Sequence, residues 1–171
     1  MLFQNMKISN RISKMLHDQV AMEANASSYY LSVASWCNVN GYEGAANFFR
    51  NHSNEEREHM LKIVDYLNDL KINVTIPQIE KPPQNMNSLE QICKTALQNE
   101  QNVTTSINEI ISLAQKEHDH RTDFFLEWFV NEQIEEEDLF ETILQKFEII
   151  GRDNLALHEI DKILDKLKDA K

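Results

Sequence analysis

Apolar residues recur at intervals of three and four through most of the chain, the period of an α-helix with one buried face. Four long stripes emerge. The first reads Ile12, Leu16, Glu23, Tyr30, Cys37, and the second Phe49, His52, Glu56, His59, Ile63, Tyr66, Leu70. The third reads Leu89, Cys93, Ala96, Glu100, Val103, Ile107, Ile110, Ala114, and the fourth Phe125, Phe129, Gln133, Glu136, Phe140, Ile143, Phe147. They predict helices α1 over about 8–37, α2 over about 44–71, α3 over about 88–116 and α4 over about 120–148. A shorter α5 over about 154–168 carries Leu155, Ile160, Ile163, Leu164 and Leu167. Helix breakers fall only at the junctions: Gly41 and Gly44, then Pro77, Pro82 and Pro83, then Gly151. Ser88 followed by Gln91 reads as a capping box opening α3. The segment Glu117-His118-Asp119-His120 holds no Gly or Pro, and Asp119 is the expected N-cap of α4.

Helices of this length run about 42–45 Å. Short connections make α1–α2, α3–α4 and α4–α5 antiparallel neighbours. The sixteen residues Ile72–Asn87 lack a helical period, and they reach roughly 50 Å when extended, the length of a helix. The expected architecture is all-α: a four-helix bundle, one long α2–α3 crossover, a short fifth helix, and residues 1–171 as a single domain. Composition agrees. Only three Gly and three Pro among 171 residues exclude collagen-like or linker-like chains and count against a turn-dense β fold.

Charge narrows the partners. With 28 acidic against 17 basic residues the net charge is −11, which disfavours nucleic acid and anionic membranes and favours cations. The richest apolar run, Phe124 to Val130, is interrupted by Glu127 and is too short to span a bilayer. Met1 to Lys7 holds no apolar export segment, and Cys37 and Cys93 stand far apart outside any CxxC, so a cytoplasmic location is expected with no disulfide framework or structural zinc.

The informative anomaly is what interrupts the stripes. Glu23, Glu56, Glu100 and Glu136 each sit near the middle of a core face, one per helix, with no Lys or Arg on those faces. Burying unpaired carboxylates costs several kcal/mol each, roughly. A pair of divalent cations neutralises four carboxylates and an imidazole economically. Glu56 and His59, three apart, share one helix face as a Glu-x-x-His pair, and oxygen ligands with an imidazole suit iron or manganese better than a zinc–cysteine site.

These residues give the chain a family resemblance. Glu23 with Ser27-Ser28-Tyr29-Tyr30, Trp36-Cys37, Glu43-Gly44-Ala45-Ala46, Glu55-Glu56-Arg57-Glu58-His59-Met60, Glu100, and Trp128 with Glu132-Gln133-Ile134-Glu135-Glu136-Glu137 resemble bacterial non-haem ferritins over essentially the whole length. The resemblance implies that Glu23, Glu56 and His59 hold one iron. It implies that Glu56 bridges to a second iron, held also by Glu100 and Glu136 and lined by Gln133. A third, weaker iron site would use Glu55, Glu132, Glu135 and the shared Glu136, and Tyr30 would donate electrons beside the pair. The implied activity is ferroxidation of Fe2+ to Fe3+ by O2 or H2O2, with ferric oxyhydroxide stored in a homo-oligomeric shell of 24 chains. On this reading α5 is an assembly element.

Departures separate the relatives. Helix α4 offers Gln133-x-x-Glu136 instead of the second Glu-x-x-His of bacterioferritins and rubrerythrins. Arg57 stands where a bacterioferritin has its haem-ligating Met, so no haem is expected, and rubredoxin-like cysteine pairs are missing. Miniature ferritins bind iron between subunits, whereas here four helices of one chain supply the ligands. Asp123 matches the region of the family's threefold channel, but Leu126 replaces the acidic partner one turn on. Plainer readings cover the rest: His52 supports the site from the core, His118 and His120 lie in an exposed turn, Trp36 and Trp128 pack, and Arg50 and Arg57 form surface or interface ion pairs. Two other classes stay open: a small diiron peroxidase or oxidase of the rubrerythrin-like class without storage, and a helical interaction protein whose carboxylates are structural.

Overall fold

The computed structural model describes residues 8–167. The helices are α1 Asn10–Val39, α2 Glu43–Asp69, α3 Leu89–Lys116, α4 His120–Ile150 and α5 Asn154–Leu167, with no strand among the described residues. The expected end of α5 at 168 and the reading of Met1 to Lys7 lie outside the described residues.

Local chemistry explains most of the boundaries. Ser9, extended in backbone, accepts a hydrogen bond from the Ile12 N–H and starts α1 two residues later than periodicity suggests. Ser88 accepts from the Gln91 N–H at 3.1 Å and opens α3, and Asp119 accepts from the Thr122 N–H and hydroxyl to open α4. Gly151, at φ 108°, ends α4 in a conformation side chains disfavour. Helix α2 stops short of its predicted end because Lys71 turns left-handed at φ 60°, and the Ile72 N–H closes back onto the Leu67 carbonyl.

Side-chain pairs fix the directions. Ser27 meets Ser53 while Tyr30 stacks near Phe49, so α1 and α2 run antiparallel. Gln133 meets Glu100 and Asp123 meets Gln115, which sets α4 against α3 the same way. Helix α2 opposes α4 through His52 with Glu136 and Tyr66 with Phe125. The crossover then carries the chain back along the bundle, and the Asn25 side chain accepts from the Glu80 N–H to hold it over α1.

The apolar interior is in two parts. One cluster gathers Tyr30, Phe48, Phe49, Phe140 and Phe147 with Ile160 and Leu164 of α5. The other gathers Ile12, Leu16, Ile63, Leu67, Ile107, Leu126 and Phe129. Between them lies a buried polar band containing Gln19, Glu23, His52, Glu56, His59, Glu100, Gln133 and Glu136. Leu126 is a fully buried core residue, and Ile160 and Leu164 of α5 are buried against the bundle while Leu155 is exposed.

Candidate metal centre

Helical phase puts the band's residues in one place. Glu56 and His59 project from one face of α2, and Glu23 meets them from α1. Ligand atoms of these three buried residues all lie within 4.8 Å of one another. His59 Nδ1 is 3.3 Å from Glu56 Oε2, and its ring packs edge-on against Trp128 and Phe129. On the α3 side, Glu100 accepts from the Tyr30 hydroxyl and from Gln133 Nε2 at 3.3 Å. Gln133 Nε2 also bonds the Glu100 carbonyl, which fixes the amide across the α3–α4 seam. Glu136 completes the ring from α4, and His52 Nε2 stands 3.1 Å from its carboxylate.

A second group forms from His52, Glu55 and Glu136. His52 Nδ1 is 3.6 Å from Glu55 Oε2 and has no hydrogen-bond partner. Its ring packs among Phe48, Phe140 and Tyr30. Glu132 is half-buried, 3.8 Å from His59 Nε2. Glu135 is exposed and belongs to neither group, because a helix turns about 100° between it and Glu136. Of the four carboxylates expected of a third site, Glu55 and Glu136 fall in the second group with His52, while Glu132 and Glu135 lie outside it. His118, His120, Arg50 and Arg57 are exposed, as expected of turn and surface residues.

Two participants escaped the sequence reading. Gln19, fully buried one turn before Glu23, donates from Nε2 to Glu23 Oε1 at 2.7 Å. Thr104, one turn after Glu100, lies within reach of Gln133 and donates to Glu137. Both sit at i±4 from a stripe carboxylate, and that spacing was the available signal.

The electrostatics match a cation site. No Lys or Arg is buried among the described residues. Burial first, and the neighbouring Glu56 carboxylate second, push the Glu23 carboxyl well above its ordinary range. Burial and Glu136 raise Glu100 to about 7, against hydrogen bonds from Tyr30 and Gln133 that favour its charged form. Glu23 Oε2 is buried without a hydrogen-bond partner. An orphaned carboxylate oxygen in a cluster of buried carboxylates and imidazoles, with no buried Lys or Arg among the described residues to answer it, suits divalent metal ions with hard-to-borderline preferences.

Comparison with known proteins places this geometry. The ferritin-like domain family model matches residues 13–150. A bacterial non-heme ferritin-like protein of Haemophilus influenzae is 38% identical over 160 residues, covering 94% of this chain and 97% of that protein. The bacterial non-heme ferritin of Campylobacter jejuni is 34% identical over 160 residues, covering 94% of this chain and 96% of its own length. Among solved structures, an open pore ferritin from the archaeon Archaeoglobus fulgidus superposes with a TM-score of 0.90 at 33% identity, covering 93% of this chain and 98% of that one.

Proposed function

This chain belongs to the ferritin-like family, and from that premise we propose that it is an iron-storage protein with ferroxidase activity. Fe2+ is the substrate, O2 or peroxide the oxidant, and the product is ferric oxyhydroxide held in the cavity of a closed shell of chains. The observation that carries the reading is the carboxylate-rich band dividing the core with no buried cation to balance it.

Each residue has a role in this account. Glu23, Glu56 and His59 hold one Fe2+, and Glu56 reaches the second, which Glu100 and Glu136 hold with Gln133 beside it. A third, weaker ion takes Glu55 and Glu136, with His52 between them and Glu132 and Glu135 toward the surface. Tyr30, hydrogen-bonded to Glu100, is placed to donate an electron. The chain's contribution is to hold two ions close enough to share one oxidant. Two Fe2+ supply two electrons, enough to take O2 to peroxide or peroxide to water.

Anaerobic titration with Fe2+ at two pH values tests the site. Below pH 7 the Glu100 carboxyl is protonated, so an incoming ion has to displace that proton. Its contribution to the metal-free fold is complete below about 4.5 and lost as pH rises through about 7, since the folded state binds the proton more tightly than the unfolded one. Tighter binding at about pH 8 than at about pH 6, with proton release and a stoichiometry of about two to three ions per chain, is the expected result. Absence of binding, or affinity independent of pH, would remove the metal site from the account.

A further inference from the structure

Helix α2 carries one more histidine–glutamate pair than the diiron site uses. The run His52-x-x-Glu55-Glu56-x-x-His59 holds two such pairs at i, i+3, back to back and in opposite order. Their geometry repeats. His59 Nδ1 stands 3.3 Å from Glu56 Oε2, and His52 Nδ1 stands 3.6 Å from Glu55 Oε2. On the far side of each ring, Nε2 faces a carboxylate of α4, Glu132 at 3.8 Å from His59 and Glu136 at 3.1 Å from His52. Glu132 and Glu136 are one turn apart, so the second pair repeats the first along the α2–α4 seam.

His52 differs from His59 in what it lacks. It is 3% exposed, and its Nδ1 has no hydrogen-bond partner among the described residues. Phe48, Phe140 and Tyr30 hold the ring in place, with centroids 4.4, 5.4 and 5.6 Å away. A buried polar atom left unpaired is costly, so this nitrogen calls for a partner. Glu55 at 3.6 Å is too far for a hydrogen bond. That distance instead suits two ligand atoms sharing one ion, which stand about 3.0–3.6 Å apart when each bond is about 2.1 Å. A carboxylate on the other ring nitrogen, as Glu136 is here, is what orients metal-bound imidazoles in general.

We propose that His52 is a metal ligand through Nδ1, and that with Glu55 it forms a divalent-ion site of mixed nitrogen and oxygen donors, joined to the diiron site by the Nε2–Glu136 hydrogen bond. The proposal deepens the ferroxidase reading and rests on it for the diiron site, but it replaces a third site built from carboxylates alone. Glu55 also lines a groove of about 460 Å³ on the α2–α4 face, together with Glu58 and Glu132. The groove gives a hydrated ion a way in and supplies water for its remaining positions. The donor set decides which ions stay. An imidazole suits Fe2+ and Zn2+, whereas carboxylate and water alone suit Mg2+, Ca2+ and Mn2+.

Zn2+, which has no redox chemistry, is the probe. Crystals of the assembled protein are soaked in Zn2+ and measured on both sides of the zinc absorption edge, and calorimetry with Zn2+ follows the same protein in solution. The expected map places one zinc about 2.0–2.2 Å from His52 Nδ1 and from a Glu55 oxygen, separate from zinc at Glu23, Glu56 and His59. His52→Phe keeps a packed ring and removes both nitrogens. It should weaken the Glu55 zinc about a hundredfold or more and leave the zinc at Glu23, Glu56 and His59 in place. Zinc at Glu55 held by carboxylates alone, with Nδ1 out of bonding distance, overturns the proposal. So does an unchanged affinity in His52→Phe, or zinc at the diiron site with none at Glu55, and in each case the ferroxidase reading stands. Zinc at none of the buried carboxylates would overturn both.

Discussion

Glu56→Ala and His59→Ala each abolish fast Fe2+ oxidation, lowering the initial rate by about a hundredfold or more, and leave the particle assembled. The first half follows from position. Glu56 is the carboxylate proposed to serve both irons, and His59 offers the nitrogen in the candidate group it forms with Glu23 and Glu56. Losing either leaves Glu23 and its neighbours without the geometry that holds two ions to one oxidant. The second half follows from burial. Both side chains lie in the buried polar band, so replacing them leaves the chain's exposed faces unchanged. Glu56 also raises the Glu23 carboxyl by like-charge repulsion, so its removal relieves strain in the metal-free protein. Stopped-flow oxidation rates, with particle size measured on the same samples, check both halves. An unaltered initial rate in either variant would show that the assignment is mistaken.

The largest effect on stability is expected far from the metal, at Gly44. Tyr42 gives α2 no side-chain cap. The cap comes from α5 instead: the Gly44 N–H donates to Asp161 Oδ2 at 3.1 Å and the Ala45 N–H to Oδ1 at 2.7 Å. A carboxylate at a helix N-terminus is favourable in both hydrogen bonding and dipole. The approach is so close that a Cβ on Gly44 would stand 2.1 Å from the Asp161 carbonyl oxygen, a backbone atom that cannot swing aside. Gly44→Ala therefore drives α5 off α2, losing the cap and the burial of Ile160 and Leu164. The cap contributes about 1 kcal/mol. Each of the two aliphatic side chains contributes about 1.5–3 kcal/mol. A drop of about 4 kcal/mol lowers the melting temperature by roughly 8–16 °C in a domain of this size. Thermal unfolding followed by circular dichroism measures it, and a melt equal to the unaltered protein would show that α5 does not lock the end of α2.

The long helices and the charged centre were legible in the chain because the 3.6-residue period is strict over four segments and the exceptions to it are all polar. An apolar stripe with Glu23, Glu56, Glu100 or Glu136 in the middle already states that something buried must answer a charge. The turn after α3 falls where the sequence places the Asp119 cap of α4, with His118 taking the left-handed position at φ 57° and the Asp119 N–H reaching back to the Ala114 carbonyl. What escaped has physical causes. The Asp161 cap joins residues more than a hundred positions apart, beyond any local pattern. Ser88 caps α3 as expected, while the exposed Gln91 side chain forms no return bond among the described residues, leaving half of the capping box. For the outer carboxylates, acidity alone did not distinguish Glu132, half-buried beside His59, from Glu135, exposed on the next face. Only the phase of α4 relative to α2 separates them.

Storage is the central claim, and a small diiron redox enzyme could present the same buried ligands without it. Aerobic Fe2+ loading of the purified protein, followed by sizing and iron analysis of the intact particle, separates the two. The account predicts one species of roughly two dozen chains that retains iron far beyond the two or three ions per chain its sites hold. A monomer or dimer whose iron stops at site stoichiometry, with any further Fe3+ precipitating from solution, would contradict it.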